Sequence, residues 1–483
     1  MFDNFRRLVV CSYIAELSRP PDVRWMYKIC GCEREMRFYL ETLGCRLNYS
    51  EMERLARELT SRGHHVVHAP EDADVCVLNT CAVTTQAEAK SRSLARSLHR
   101  ANPRARLAIT GCYATLSPEA VKKLPGVIWV ADNAQKDALA DLWTSSGASV
   151  GLGMDASSGL DDGAFPELTP EEITRPDRAP FAHTRTRAFV KVQDGCNNRC
   201  TFCIVTIARG QERSRPLADV VAEIRRLEAE GFREAVLTGV HLGAYGRDLG
   251  TSLAALVRAI LRETTIPRLR LSSLEPWDLA DDFFDLWRES DGRLCPHLHL
   301  PLQSGCDATL RRMARRYTTA DYARLVDVAR ARIGDLTVTT DIIVGFPGET
   351  DEEFEASARF VESMGFAHLH VFPYSPRPGT AAARMKGHVS EPIKRKRSAI
   401  MREIDRRCGH AVRRAQLGRT CEVLWESHGQ EIGDGSHLLW TGLTDNYLRI
   451  LTTTDRSVDL HNHITRVRVA RLEGDALWGE IVQ

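Results

Sequence analysis

The chain contains 483 residues, a length that predicts two to four domains rather than a single core. Hydrophobic residues make up 43% of it and charged residues 27%, a balance typical of globular proteins. The 65 basic residues nearly equal the 64 acidic ones, so bulk charge gives no argument for a nucleic-acid partner and any basic surface must be local. No apolar run is long enough to span a membrane, and the first residues lack the pattern of a signal peptide. The fourteen cysteines therefore favour thiol, metal or catalytic roles in the cytoplasm over a disulfide framework.

The first part of the chain alternates strand and helix patterns after an irregular start. Residues 1–35 fit no periodic pattern, and we interpret them as a disordered or non-native extension. From 36 to 145 strands alternate with helices, which predicts a Rossmann-like parallel sheet with helices on both faces. Residues 146–185 are rich in Gly, Ser, Asp, Pro and Thr, and this composition predicts a linker.

Residues 186–415 resume the alternation of strands and helices. Six strand–helix units predict a partial (β/α)6 barrel related to the eight-fold TIM-type barrel, and the last helix is strongly basic. Residues 416–483 contain short strands interrupted by Gly, Asp and Asn, which predict a small C-terminal β-barrel. The predicted fold class is therefore α/β, with a parallel-sheet domain, a partial barrel and a small β domain.

The strongest motif is a CxxxCxxC formed by Cys196, Cys200 and Cys203, directly after a predicted strand. Three thiolates on one loop can bind three irons of a four-iron cluster and leave the fourth iron open for chemistry. A structural zinc site is the alternative, but it would need four closed ligands, and no fourth Cys or His follows nearby. Three unconnected thiols are a further alternative, which Gly195 and the strand-end position disfavour.

A second set of cysteines is dispersed along the first domain. Cys45, Cys81 and Cys112 each directly follow a predicted strand. Because the carboxyl ends of parallel strands converge on one edge of a sheet, the three thiols can meet although they lie far apart in sequence. Any one of them alone would more often be a buried structural cysteine. Three in the same structural position predict a second iron–sulfur site.

Phe202, the aromatic residue before the third cysteine of the CxxxCxxC, completes a motif that resembles the radical SAM superfamily. This resemblance implies that S-adenosylmethionine (SAM) chelates the open iron of a [4Fe–4S] cluster and is cleaved by one electron to a 5′-deoxyadenosyl radical. Cys196, Cys200 and Cys203 would then be the catalytic ligands. The protein would position the reactants and exclude water, while the cofactor would carry the difficult step.

The wider pattern resembles the methylthiotransferase family from residue 36 to residue 483. TLGCRLN, NTCAVT and TGCYA match its N-terminal domain, and GLTDNYLRI resembles its TRAM RNA-binding module. The resemblance implies that Cys45, Cys81 and Cys112 bind a second [4Fe–4S] cluster, which holds the sulfur to be inserted and methylated by a second SAM. Thr206 stands where the family commonly has a proline, so this position loses a fixed φ, and we expect no change in function.

Further residues at predicted strand ends are implied to line the SAM pocket, as barrel enzymes place their sites there. With Phe202 they are Gly239, Ser273, Glu275, Gln303, Asp341 and Gly345. The ordinary alternative is that these glycines form turns and that the polar residues cap loops. His241, His297 and His299 are assigned to no metal, because a lone histidine is more often a satisfied loop or core residue.

Local positive charge and aromatic residues suggest an RNA surface. The candidate contacts are Arg315, Arg316, Trp440, Tyr447 and Arg449. Phosphate contacts would supply affinity, and the small C-terminal barrel would present the aromatic residues to RNA. The alternative is a solvated basic helix whose charges are paired with acidic residues elsewhere.

Three branches of the family act on isopentenyl-adenosine in tRNA, on threonylcarbamoyl-adenosine in tRNA, or on an aspartate of a ribosomal protein. TLGCRLNYSE, GVHLGAYG, RLRLSSLEP and HVFPYSPRPGTAAARM are most similar to the threonylcarbamoyl-adenosine branch. The implied partners are a tRNA anticodon loop, a flavodoxin- or ferredoxin-type electron donor and a sulfur donor. An unstacked base in a loop suits chemistry at C2 better than a duplex does. A non-catalytic iron–sulfur RNA-binding protein is the alternative from a different class.

Overall fold

The computed structural model describes residues 35–144, 186–433 and 435–482. Apart from Glu35, the predicted N-terminal extension lies outside the described residues, and so does the whole predicted linker, 146–185. Within the described ranges, no helix combines the length and the apolarity needed to cross a membrane.

The first region is built on a five-stranded parallel sheet. Its strands are β1 (Arg37–Thr42), β2 (His65–Val66), β3 (Val75–Thr80), β4 (Arg106–Gly111) and β5 (Val127–Val130). They lie in the order β2-β1-β3-β4-β5, and every pairing is parallel. The helices of the region are Arg46–Ser61, Thr85–Ala101, Cys112–Leu116, Pro118–Lys122 and Leu139–Thr144, with short 3-10 helices at Pro70–Asp72 and Lys136–Ala138. This arrangement confirms the predicted Rossmann-like sheet.

The central strand of this sheet shows why the sequence folds in this way. β3 has the sequence VCVLNT, and all six of its residues are buried, as expected for a parallel strand covered on both faces. Leu78 packs with the apolar side chains of helix Thr85–Ala101 on one face, and Val77 with those of helix Arg46–Ser61 on the other. The Thr84 hydroxyl begins the first of these helices by accepting a hydrogen bond from the amide of Ala87.

The second region contains six parallel strands and one short antiparallel pair. Its strands are β6 (Arg187–Lys191), β7 (Gln193–Asp194), β8 (Arg213–Ser214), β9 (Glu234–Thr238), β10 (Arg268–Leu271), β11 (His297–His299), β12 (Thr337–Val344) and β13 (His368–Pro373). β7 pairs antiparallel with β8. The other six lie in the order β6-β9-β10-β11-β12-β13, because two bridges, Leu269–Leu294 and Ser273–His299, join its two three-stranded sheets. The predicted set of six strand–helix units is confirmed.

The helices of this region pack against the outside of the parallel strands, except Val205–Arg209, which packs against helix Cys112–Leu116 of the first region. They are Val205–Arg209, Leu217–Ala229, Leu253–Glu263, Asp285–Glu289, Asp307–Arg312, Thr319–Arg332, Asp351–Ser363 and Glu391–Arg414, with 3-10 helices at Leu242–Ala244, Arg247–Leu249, Pro276–Asp278, Asp281–Phe284 and Ala382–Arg384. Two of them begin with capping boxes, Thr318 with Asp321 and Thr350 with Glu353. Alternate strand residues such as Ala188 and Val190 join the core beneath these helices.

The third region is a six-stranded sheet. Its strands are β14 (Thr420–Trp425), β15 (Gln430–Ile432), β16 (His437–Thr444), β17 (Arg449–Asp455), β18 (Ile464–Glu473) and β19 (Ala476–Ile481). The order is β14-β18-β19-β17-β16-β15, and β14 also pairs with β16, so five of the strands form a closed circuit of pairings. All pairings are antiparallel except that between β17 and β19.

Candidate active site

Three thiols of the first region meet at one edge of its parallel sheet. Cys45, Cys81 and Cys112 follow the C-terminal ends of β1, β3 and β4. Gly44 adopts a φ of +111°, and a Cβ on it would lie 2.9 Å from the Cβ of Cys81, so the close approach of these two segments requires glycine. Burial raises the pKa of the Cys81 thiol to about 11, and the neighbouring Cys112 and Cys45 add to this effect. The structure therefore brings together the three cysteines of the dispersed set.

The other three thiols lie on the loop that follows β7. Gly195 begins the loop with a φ of +70°, and a Cβ there would lie 1.9 Å from the carbonyl oxygen of Gln211, so only glycine fits this turn. The amide of Cys203 donates to the carbonyl oxygen of Cys200 at 3.1 Å. All three thiol residues of the loop line a cleft of about 450 Å³, a volume typical of small-molecule sites.

Arg315, which follows helix Asp307–Arg312, is buried against the thiol loop. Its guanidinium donates to the Cys200 sulfur at 3.5 Å and to the Glu275 carboxylate at 2.5 Å, and it lies 4.4 Å from the ring centroid of Trp277. The Arg315 side chain is only 1% exposed. The predicted RNA contact is therefore wrong for Arg315, because its charge is already committed to a carboxylate and a thiol inside the protein.

His241 is a site residue whose role the sequence did not reveal. It is buried after β9, with Nε2 2.5 Å from Asp278 and Nδ1 2.7 Å from Glu212. Burial lowers the pKa of His241, but its bonds to Asp278 and Cys196 outweigh that effect and raise the pKa to about 10. A lone histidine gives no sequence signal for such a role, because its carboxylate partners follow different strands.

The remaining predicted SAM-pocket residues lie near the C-terminal ends of the barrel strands. Ser273 pairs with His299 across a bridge, and Gln303 donates its amide to the carbonyl oxygen of Asp341 at 2.8 Å. Gly345 donates its amide to Glu349 at 2.6 Å. Gly239 follows β9, and the Phe202 ring packs edge-on against Phe346 at 6.4 Å between centroids. Asp341 lies within β12, three residues before the end of that strand.

A buried polar network joins the two thiol sets, and the sequence did not predict it. Arg209, at the end of helix Val205–Arg209, donates to Glu51 at 3.0 Å and to Asn48 at 2.6 Å. The Cys45 thiol lies 3.8 Å from the same Asn48 oxygen. Asn133 donates to the carbonyl oxygen of Ala208 at 2.7 Å and lies 3.8 Å from the Cys112 sulfur. One short helix after Cys203 thus contacts the side chains that flank the other set.

The spacing of the thiols argues against a single-ion site. Among the described residues, two groups lie close enough together to hold one ion: Cys196 with Glu212 and His241, and His299 with Asp341 and His370. No three of the six thiols form such a group. A tetrahedral zinc site would need its sulfurs around one ion, whereas the thiolates of a cubane cluster bind separate irons and lie further apart.

Comparisons with known proteins identify two family profiles in the chain. The Radical SAM superfamily matches residues 190–361, and the Uncharacterized protein family UPF0004 matches residues 37–131. The threonylcarbamoyladenosine tRNA methylthiotransferase MtaB of Thermotoga maritima is 37% identical over 80% of this chain and 86% of its own length. The Bacillus subtilis protein of the same name is 33% identical over 89% and 93%. The chain belongs to the radical SAM methylthiotransferase family.

Other relatives in this family carry a different substrate name. The tRNA-2-methylthio-N(6)-dimethylallyladenosine synthase of Acetivibrio thermocellus is 32% identical over 92% of this chain and 91% of its own length. Among solved structures, the radical S-adenosylmethionine methyltransferase TsrM of Kitasatospora setae matches 72% of this chain and 74% of its own, with a TM-score of 0.52 and 17% identity. That similarity supports the radical SAM fold alone.

As a radical SAM methylthiotransferase, the protein uses SAM and [4Fe–4S] clusters, and the thiol sites fit such groups. Burial raises the pKa of Cys203 to about 12, and a bound metal would offset this effect by stabilising the thiolate. Each set also faces a buried cation. Arg315 contacts Cys200 of the loop set, and the charge of Arg209 acts on Cys45 and Cys112 of the sheet-edge set. Cations in these places suit the negative charge of thiolate-bound clusters.

The remaining predicted RNA contacts divide into buried and exposed residues. Trp440 is buried in the core of the third region and donates its indole N–H to Thr454 at 2.8 Å, so its predicted RNA contact is wrong. The Tyr447 ring stacks on His297 and lies among arginine side chains, so it too is enclosed by protein rather than free to meet RNA. Arg316 and Arg449 are exposed.

Proposed function

We propose that this chain methylthiolates C2 of N6-threonylcarbamoyladenosine at position 37 of tRNA, in the anticodon loop. The observation that carries the proposal is the pair of three-thiol sites, one on an open loop and one at a sheet edge, connected through helix Val205–Arg209. Relatives named for this nucleoside support it, because they match most of the chain.

In this proposal the loop thiols hold the cluster at which SAM binds, and SAM supplies on reduction a radical able to take hydrogen from the adenosine. Arg315 fixes Cys200 relative to Glu275, and His241 fixes the side of the loop near Cys196. The strand-end residues would surround SAM and exclude water from it. They are Phe202, Gly239, Ser273, Glu275, Gln303, Asp341 and Gly345.

Cys45, Cys81 and Cys112 would hold a second [4Fe–4S] cluster on the side of the first region that faces the thiol loop. The target adenosine would enter between the two sites, and it must leave its stack to do so, which suits a loop nucleotide. An electron donor of the flavodoxin or ferredoxin type and a separate sulfur donor would complete the reaction.

The RNA would be held by charges on the outside of the protein. Arg316, Arg449 and the exposed basic residues of helix Glu391–Arg414 are the candidates, because phosphate contacts position RNA without reading sequence. We further propose that residues 36–145, 186–415 and 416–483 act as the methylthiotransferase, radical SAM and TRAM domains of a cytoplasmic enzyme.

The test is mass spectrometry of tRNA nucleosides from cells with and without the gene, followed by assay of the purified, cluster-loaded protein. Loss of methylthio-threonylcarbamoyl-adenosine, with accumulation of the unthiolated nucleoside, is the expected result. Loss of the methylthio-dimethylallyl nucleoside instead would select the second candidate, which relatives at 32–37% identity favour. An unchanged nucleoside profile would overturn the tRNA assignment and direct the search to a ribosomal protein aspartate.

A further inference from the structure

The interior of the six-strand barrel is polar and cationic. Because side chains alternate along a strand, residues on the face opposite the helix-packed core line the interior. In β6 the core residues are Ala188 and Val190, so the interior face of that strand begins with Arg187. By the same alternation the interior side chains of the later strands include Arg270, His297, His299, Asp341 and His370.

The first region adds one more cation to this interior. Arg46 is the first residue of helix Arg46–Ser61 and directly follows the cluster ligand Cys45. Its guanidinium donates to the Tyr447 hydroxyl at 2.5 Å and lies 6.0 Å from the ring centroid of Phe189, an interior residue of β6. Arg46 therefore reaches from the edge of one thiol set into the barrel.

Arg46 differs from the neighbouring arginines in its partners. Arg270 forms a two-pronged pair with Glu234, at 2.6 and 3.2 Å, and Arg187 pairs with Glu426. Across the described ranges, no carboxylate lies within ion-pair distance of Arg46, whose one hydrogen-bond partner is the Tyr447 phenol. Its neighbours around the Tyr447 ring are two further guanidinium groups, those of Arg187 and Arg270.

Two histidines lie on the same interior face of the strands. The charge of Arg46 acts on both His297 and His370. His370 pairs in register with Asp341 and is exposed, so its ring can offer an N–H to a ligand. Asp341 itself lies 3.3 Å from His299. The surface thus combines a cation that has no carboxylate partner with two imidazole rings.

We propose that Arg46, assisted by His370, binds the carboxylate of the threonylcarbamoyl group and so selects that nucleoside over the dimethylallyl one. This inference rests on the proposed function. The threonylcarbamoyl substituent ends in a carboxylate, which matches a guanidinium, whereas the dimethylallyl substituent is a hydrocarbon that would leave the cation unpaired. Because Arg46 directly follows Cys45, the carboxylate subsite would lie next to the sheet-edge thiol set that is proposed to act on the same nucleoside.

The test compares two anticodon stem–loop RNAs that differ in one group. One carries threonylcarbamoyladenosine with its free carboxylate, and the other carries the same nucleoside with that carboxylate converted to a methyl amide. We expect the wild-type holoenzyme to prefer the free acid roughly 10- to 100-fold in KM, the range for a charge-assisted pair. Arg46→Gln should bind the two RNAs equally, and Arg46→Lys should keep part of the preference.

Two controls separate this role from a structural one. Binding of both RNAs by fluorescence anisotropy, without SAM, gives a readout that does not depend on turnover. Absorbance and EPR spectra of each variant verify both clusters, since Arg46 is next to a ligand. Arg258→Gln, which breaks a surface pair with Glu289, is the matched control and should keep the wild-type preference.

Failure of the carboxylate subsite and failure of the proposed function give different results in this test. If the wild-type enzyme modifies only dimethylallyladenosine RNA, the proposed function fails together with this inference. If it modifies threonylcarbamoyladenosine RNA but does not distinguish acid from amide, or if Arg46→Gln keeps the full preference, the function stands and the carboxylate subsite is wrong. The acid–amide comparison on wild-type protein needs no variant, so misfolding of a variant cannot hide the result.

Discussion

The two thiol sets of this protein are built in opposite ways. Cys196, Cys200 and Cys203 lie on one loop, so their proximity is fixed by eight consecutive residues and one glycine turn. Cys45, Cys81 and Cys112 come from three strands, so their proximity depends on the whole parallel sheet. The first set is therefore sensitive to local changes, and the second to anything that shifts one strand end relative to another.

The two sets also differ in the cations that face them. Arg315 reaches the loop set from within its own region, while Arg209 reaches the sheet-edge set from the other region. Helix Val205–Arg209 follows the loop set in the sequence, but its side chains contact the residues around the sheet-edge set. This difference predicts that some substitutions disable one set and that others uncouple the two.

The largest expected effect separates the roles of the two sets. Cys200→Ala should abolish SAM cleavage, because the proposed loop cluster would lose a ligand, whereas Cys81→Ala should keep SAM cleavage and yield no methylthiolated RNA. Both are measured as 5′-deoxyadenosine and modified nucleoside from the same reaction. Cys421→Ala, at a thiol of the third region, should keep both activities. Equal loss of both activities in the two folded variants would contradict the division of roles.

A smaller effect is expected at the connection between the sets. Arg209→Gln should lower the free energy of unfolding by about 3 kcal/mol, because it leaves the buried carboxylates of Glu51 and Asp194 short of a partner. Urea unfolding would measure it, and the ratio of 5′-deoxyadenosine to product should rise as the sites uncouple. Arg258→Gln, at an exposed ion pair, should cost at most about 1 kcal/mol. A similar loss of unfolding free energy in the Arg209 and Arg258 variants would show that the buried network around Arg209 does not stabilise the contact between the first and second regions.

The smallest effect tests the sheet-edge set alone. Gly44→Ala should cost about 1–3 kcal/mol, because it combines a positive φ with a Cβ 2.9 Å from Cys81, and it should reduce the cluster content from two toward one. Iron analysis and retained SAM cleavage would check this. Gly63→Ala, which shares a positive φ but has nothing within 4 Å, is the control for backbone strain. If both variants kept two clusters, close packing at Gly44 would not matter for the site.

Much of the site could be predicted because its signals are local. The CxxxCxxC spacing needs only eight residues, and the strand-end rule needs only the end of each strand, so both thiol sets could be predicted without tertiary contacts. The parallel sheets followed from alternation of strands and helices.

Charged and aromatic residues were harder to place, because their partners are distant in sequence. Arg315 and Trp440 were expected to contact RNA. Arg315 instead contacts Cys200, 115 residues away in the sequence, and Trp440 is buried in the core of the third region. The bond between Arg209 and Asn48 spans 161 positions. Composition and spacing do not show which buried carboxylate or thiol a cation meets.

The sequence by itself determined the two thiol sets, the parallel strands that carry them and the family to which the chain belongs. Only the tertiary structure decided that Arg209 joins the sets, that Arg315 contacts the thiol loop and that Arg46 enters the barrel without a carboxylate partner. The physical reason is the range of the interactions. Metal-ligand spacing and strand patterns are set by neighbours along the chain, whereas the pairing of buried charges is set by surfaces that meet only after folding.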